Sequence, residues 1–223
     1  MSHPPLLNLA ALRNSQMQRE PYPWATVEEA FTSKGVAYAL RQTFPSEGYV
    51  HLMRDTGNKR HDLHGRNLIS QGELYTPKTG VFPDVWVRLA NELLSDAYRD
   101  ALTVASGIQL NDLQIDATLW HHPKGSFLDP HPDKPDKVLV HLFYFCEEDW
   151  SPDFGGCLRI LRSSNIDDFA VEILPLINTS TYFIRSDQSW HGYKAMTAAD
   201  RVRLSLQVVF YKGGMHYTKP LTE

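Results

Sequence analysis

The chain has 223 residues, enough for one well-packed domain without requiring a second. A formal net charge of -4, with 42% hydrophobic and 22% charged residues, is ordinary for a globular protein and gives no reason to expect nucleic acid or a membrane surface as partner. Two cysteines, Cys146 and Cys157, require no disulfide framework, and neither a signal-like start nor a membrane-length apolar run is present, so a soluble, cytoplasmic protein is expected.

Residues 1–25 read as an irregular arm ending near Pro21-Tyr22-Pro23. Thr26-Val27-Glu28-Glu29 has the form of a capping box and predicts a helix through Ala30, Phe31, Val36 and Leu40 that stops before Pro45. Residues 47–82 are polar and broken, with a turn at 55–61, and predict short strands or a flap. Pro83 at a first turn opens a second helix, whose stripe of Leu89, Leu93, Leu94, Ala97, Ala101 and Leu102 runs to Gly107. Residues 26–107 are thus a helical and loop-rich region.

From residue 108 the period changes to two. Leu113, Ile115, Ala117 and Leu119 alternate with polar neighbours, and strand-like runs follow at 137–145, 157–162, 169–174, 180–185 and 202–211. Helices followed by many short strands predict a mainly β fold with flanking helices. Its core, residues 108–223, is a double-stranded β-helix or jelly roll within a single domain spanning 1–223.

The chemistry-bearing residues are few. His131-Pro132-Asp133 places an imidazole and a carboxylate two positions apart, on one side of an extended chain, and His191 follows at a distance that a jelly roll can close. Two imidazoles and one carboxylate on one face of a metal leave neighbouring positions open, which is the donor set of non-heme Fe(II) oxygenases. Against ten histidines the triplet alone means little; a hydrogen-bonded pair and a packed histidine would satisfy it equally. Arg201 and Arg203 share a strand face, so spacing does not separate them as anion anchors. A cluster of Lys59, Arg60, His61, His64 and Arg66 is a solvated loop or a flap over an acidic substrate.

The surroundings are more specific. Trp120-His121-His122-Pro123-Lys124-Gly125 leads into His131-Pro132-Asp133. The strand 138–145, the acidic turn 147–150 and Gly155-Gly156-Cys157-Leu158-Arg159 follow in order. Tyr182-Phe183-Ile184-Arg185-Ser186-Asp187 precedes His191, and Arg203-Leu204-Ser205-Leu206 comes after it. Over residues 113–211 this order resembles the Fe(II)/2-oxoglutarate-dependent dioxygenase superfamily, prolyl-hydroxylase-like branch. The resemblance implies that His131, Asp133 and His191 hold Fe(II), and that the co-substrates are 2-oxoglutarate and O2. Within the Arg-x-Ser-Leu context it selects Arg203 for the far carboxylate of 2-oxoglutarate. It also implies oxidation, through release of succinate and CO2, of an unactivated C–H bond in a small-molecule or amino-acid-like substrate. Asp133 favours hydroxylation or desaturation, because resembling halogenases lack a carboxylate there. The chain departs from the family where a tyrosine often contacts the co-substrate. His122 holds that place on the approach strand, and His141, Phe143 and Phe145 share one face of the next strand. His122 and His141 are therefore either donors to 2-oxoglutarate or satisfied core histidines.

Two rival readings remain at this level. A Zn(II) or cupin-type hydrolase or isomerase uses similar ligands but needs no buried carboxylate anchor. A non-catalytic binding module would not need the full set. Trp190 and Tyr193 flank His191 as pocket walls or ordinary packing, and Gly155-Gly156 reads as a close backbone approach.

Overall fold

The structure is a computed structural model and describes residues 4–57, 59–76 and 81–213. Four helices, α1 (Leu9–Arg13), α2 (Lys34–Gln42), α3 (Asp84–Leu93) and α4 (Asp96–Ser106), accompany twelve strands. The strands are β1 (Trp24–Glu28), β2 (Val50–Arg54), β3 (His61–Ser70), β4 (Glu73–Leu74), β5 (Gln114–His122), β6 (Phe127–His131), β7 (Lys137–Tyr144), β8 (Leu158–Leu161), β9 (Phe169–Ile173), β10 (Thr179–Ile184), β11 (His191–Tyr193) and β12 (Arg203–Tyr211).

Every pairing between these strands is antiparallel. The order is β1-β10-β7-β12-β5-β3 on one side and β6-β11-β8-β9 on the other, with β2 and β4 also on β3. The long β3 joins the two halves, pairing with β5 through residues 65–69 and with β6 through His61 and Asp62. The sheet curls so that both halves line one cavity, and this is the double-stranded β-helix that the strand pattern predicts.

The pleat divides each strand between two environments. On β12, Leu206, Val208 and Phe210 pack outward into the main core, while Arg203, Ser205, Gln207 and Val209 face the cavity. On β5, Ile115, Ala117 and Leu119 face outward against Thr118, Trp120 and His122 inside. Helices α3 and α4 cover the outer face through Trp86, Leu89, Leu93, Tyr98 and Leu102. The predicted strands at 137–145, 157–162, 169–174, 180–185 and 202–211 are β7, β8, β9, β10 and β12.

Three local expectations differ, and the strands expected in the region 47–82 are present but include one longer than foreseen. The arm is not irregular throughout: α1 forms within it, and Leu6 and Leu7 are buried, their backbone N–H groups donating to the Glu92 carboxylate. The capping-box segment is β1, paired with β10, because Ala25 and Val27 alternate into the core; helix α2 starts later, capped by Ser33 accepting from the Val36 N–H. The second helix breaks after Leu93, where the Ser95 hydroxyl caps α4 by accepting from Tyr98, and it ends on left-handed Gly107 as expected. Residues 47–82 hold β2, the ten-residue β3 and β4; of this region Asn58 and residues 77–80 lie outside the described residues.

Trp86 ties the helical layer to the sheet. It is fully buried, donates from Nε1 to Thr43 O and meets Phe44 and Phe145 edge-on. Trp86→Ala should lower unfolding stability by about 3–5 kcal/mol, measured by denaturant titration.

Candidate active site

His131 ends β6, Asp133 lies just beyond it, and His191 opens β11, whose first residue pairs directly with His131. All three are buried. Asp133 Oδ1 stands 3.8 Å from His131 Nε2, and Oδ2 stands 3.7 Å from His191 Nε2. The other ring nitrogens are held by the chain itself: His131 Nδ1 donates to Asp129 O and His191 Nδ1 to Ser189 O, each at 2.9 Å. Both Nε2 lone pairs therefore turn toward the carboxylate.

Burial pushes the His131 imidazole down to about 2, with nearby Lys59 adding to the effect, and burial also lowers His191. Burial alone would raise the Asp133 carboxyl, but the Lys137 ammonium, with Lys59 behind it, holds it below the usual carboxylate range. Lys137 donates to Asp133 Oδ1 at 2.6 Å, whereas Oδ2 is buried and accepts no hydrogen bond among the described residues. Neutral imidazoles facing an ionised carboxylate with an open oxygen form an acceptor set that a divalent cation would satisfy.

The triad lines a cavity of about 930 Å³, large enough for a co-substrate and a small substrate together. Arg203 and His122, directly paired across β12 and β5, stand in the same cavity. The Arg203 guanidinium lies over the rings of Tyr193, at 4.9 Å, and Tyr144, at 5.6 Å, and donates to Ser205 Oγ at 3.1 Å. Its Nε is buried and donates to no described residue. Tyr193 and His122 meet at 3.2 Å through Oη and Nδ1, and burial together with Arg203 holds His122 well below its ordinary value. A buried guanidinium with a free edge suits a carboxylate.

The other candidates fall elsewhere. His141 does not reach the cavity: it points to the helix-covered side, bonded at 2.9 Å to Tyr98 Oη and at 2.9 Å to Ser180 Oγ. Its companions Phe143 and Phe145 share that side, and the inner face of β7 carries Val140, Leu142 and Tyr144. A tyrosine thus does stand on the strand after the His-x-Asp, beneath Arg203. Arg201 is paired with Asp149 at the surface. Trp190 contributes its backbone oxygen to the Tyr22 hydroxyl and is not part of the cavity wall, unlike Tyr193. Gly155 and Gly156 make the close approach expected of them. A Cβ on Gly155 would meet Ala195 O at 2.1 Å, and one on Gly156 would meet Arg203 Cδ at 2.9 Å, both at positive φ.

Of the basic cluster, Lys59 and His61 face the cavity. Arg60 is paired with Asp129, and Arg66 donates to Glu47 O and covers Phe82. His51, Asp62 and His64 form a second group of possible ligands, but on the outer side of the β2–β3 pair and partly exposed. Lys137 was not anticipated. Its only trace in the sequence is a charge four residues after Asp133, at the mouth of an apolar strand.

Comparison with known proteins adds a family match over part of the chain and a fold. The model of the "2OG-Fe(II) oxygenase superfamily" matches residues 118–211. No curated protein matches the chain by sequence. A Pseudomonas putida prolyl-4-hydroxylase structure is 18% identical, with a TM-score of 0.58 over 92% of this chain and 100% of that one. A Trichoplax adhaerens prolyl hydroxylase, solved with a hypoxia inducible factor peptide, is 14% identical with a TM-score of 0.61, over 91% of this chain and 88% of that one. The epimerase SnoN, in complex with Fe3+, alpha ketoglutarate and nogalamycin RO, is 13% identical with a TM-score of 0.55, over 96% of this chain and 92% of that one. Residues 118–211 thus match the 2OG-Fe(II) oxygenase superfamily, whose chemistry uses Fe(II), 2-oxoglutarate and O2, and the chain shares its fold with prolyl-4-hydroxylase-like structures.

Proposed function

We propose that the protein is an Fe(II)- and 2-oxoglutarate-dependent dioxygenase that hydroxylates an unactivated C–H bond of a small-molecule or amino-acid-like substrate. The observation that carries the reading is the buried carboxylate of Asp133 facing two Nε2 atoms in the same cavity as the buried, partly unpaired guanidinium of Arg203. A Zn(II) hydrolase or isomerase would have use for the triad but none for Arg203.

In this reading His131, Asp133 and His191 hold Fe(II), which, when bound, supplies the O2 chemistry coupled to decarboxylation of 2-oxoglutarate. Arg203 and Ser205 take the far carboxylate of the co-substrate, with Tyr193 and His122 beside it. Lys137 keeps Asp133 ionised and oriented as a ligand. The apolar inner wall, including Leu142, Leu158 and Phe183, limits water at the reacting carbon. The two cysteines, both free and buried, support the expected cytoplasmic setting, and no described helix is long and apolar enough to cross a membrane.

Without O2, Fe(II) and 2-oxoglutarate added to the apoprotein should give a visible charge-transfer band. The band should vanish in His191→Ala and Asp133→Ala; a full band in either would remove that residue from the ligand set, and tight zinc binding with no band in the wild type would favour the hydrolase reading. Arg203→Ala should retain metal while weakening 2-oxoglutarate binding by about 100-fold, and Gly156→Ala, which crowds Arg203, should act in the same direction. Lys137→Met should reduce metal affinity by roughly 10–100-fold in a metal titration; unchanged affinity would make it a packing residue only.

A further inference from the structure

The cavity wall holds five lysines and arginines against three aspartates, in a chain whose net charge is -4. Two of these cations, Lys134 and Lys212, are exposed to solvent, and two others have an assigned counterpart. Lys137 is bonded to Asp133, and Arg203 faces the co-substrate carboxylate. Lys59 is different. Lys59, two residues before β3, and His61 and Leu63 at the start of β3 occupy alternate positions and all line the cavity. The Lys59 ammonium has no hydrogen-bond or ion-pair partner among the described residues. Its charge acts on Asp133, His131 and His191 alike, so it stands close to the metal triad.

We propose that Lys59 is the anchor for a carboxylate on the primary substrate, which it seats beside the metal triad. This assignment rests on the dioxygenase reading above. Charge balance supports it: Fe(II) and the 2-oxoglutarate dianion cancel, so the surplus positive charge of the wall is left for the substrate. An ammonium in the cavity wall without a counter-charge of its own favours the entry of an anion beside it. The neighbouring His61 imidazole is lowered by burial and by Lys59 and stays neutral, so the pair presents one positive charge. A single cation with a neutral neighbour matches a monoanionic carboxylate better than a doubly charged phosphate.

The test uses protein loaded with Fe(II) and 2-oxoglutarate without O2, titrated with N-acetylated amino acids and with their carboxamides, following the visible charge-transfer band. The acids should perturb the band at concentrations at least about tenfold below the amides in wild type and in Lys59→Arg, and this preference should disappear in Lys59→Met. Equal response to acid and amide in the wild type, or an unchanged preference in Lys59→Met, overturns the proposal. So does a Lys59→Met protein whose starting band is itself weakened while its acid preference persists, because Lys59 would then serve the co-substrate. Failure of the wild type to form the starting band would instead remove the dioxygenase reading from which the proposal descends.

Discussion

The alternation of side chains along β12 ties the stability of this fold to its chemistry. One face of the strand supplies Leu206, Val208 and Phe210 to the core beneath the helices, and the opposite face supplies Arg203, Ser205 and Gln207 to the cavity. A shift of one residue in register would exchange the two sets, burying a guanidinium under α4 and emptying the site. The apolar outer face therefore fixes the polar inner one. Neighbouring β5 repeats the arrangement, and its antiparallel register brings His122 opposite Arg203.

The second constraint is electrostatic. Asp133 is a carboxylate taken out of water, and Lys137 at 2.6 Å leaves only one of its oxygens open. Two neutral imidazoles cannot balance that charge, because burial disfavours their protonated forms. The site is thus preorganised for a cation, while the part of the cavity around Arg203 is preorganised for an anion. The polarity of the cavity sets the direction in which a bound molecule must lie.

Much of the jelly roll was legible because its strands are punctuated by turn residues and most carry a clean two-residue period. The triad was legible through its order among neighbouring motifs, since no single spacing distinguishes it. What escaped has physical causes. Thr26-Val27-Glu28-Glu29 satisfies a capping box and a strand alike, and pairing with β10 decides between them. The ten-residue β3 hid because its inner face lines a polar cavity and so lacks an apolar period. The place of His141 stayed open because β7 is buried on both faces; its sequence gives no sign of which face the helices cover. The break at Ser95 did carry a signal, a capping residue followed by an acid, inside an otherwise continuous apolar stripe.

One local feature repeats at both histidines of the triad: each ring nitrogen Nδ1 bonds to the carbonyl oxygen two residues earlier in its own chain segment. The acceptor that sets each ring is therefore backbone, present whatever side chains surround it. Residues that shape the remainder of the cavity, such as Leu52, Leu63 or Gln207, can be exchanged without loosening that orientation. Such a scaffold separates the inheritance of the reactive centre from the inheritance of substrate preference, so new specificities can arise by changing the walls alone.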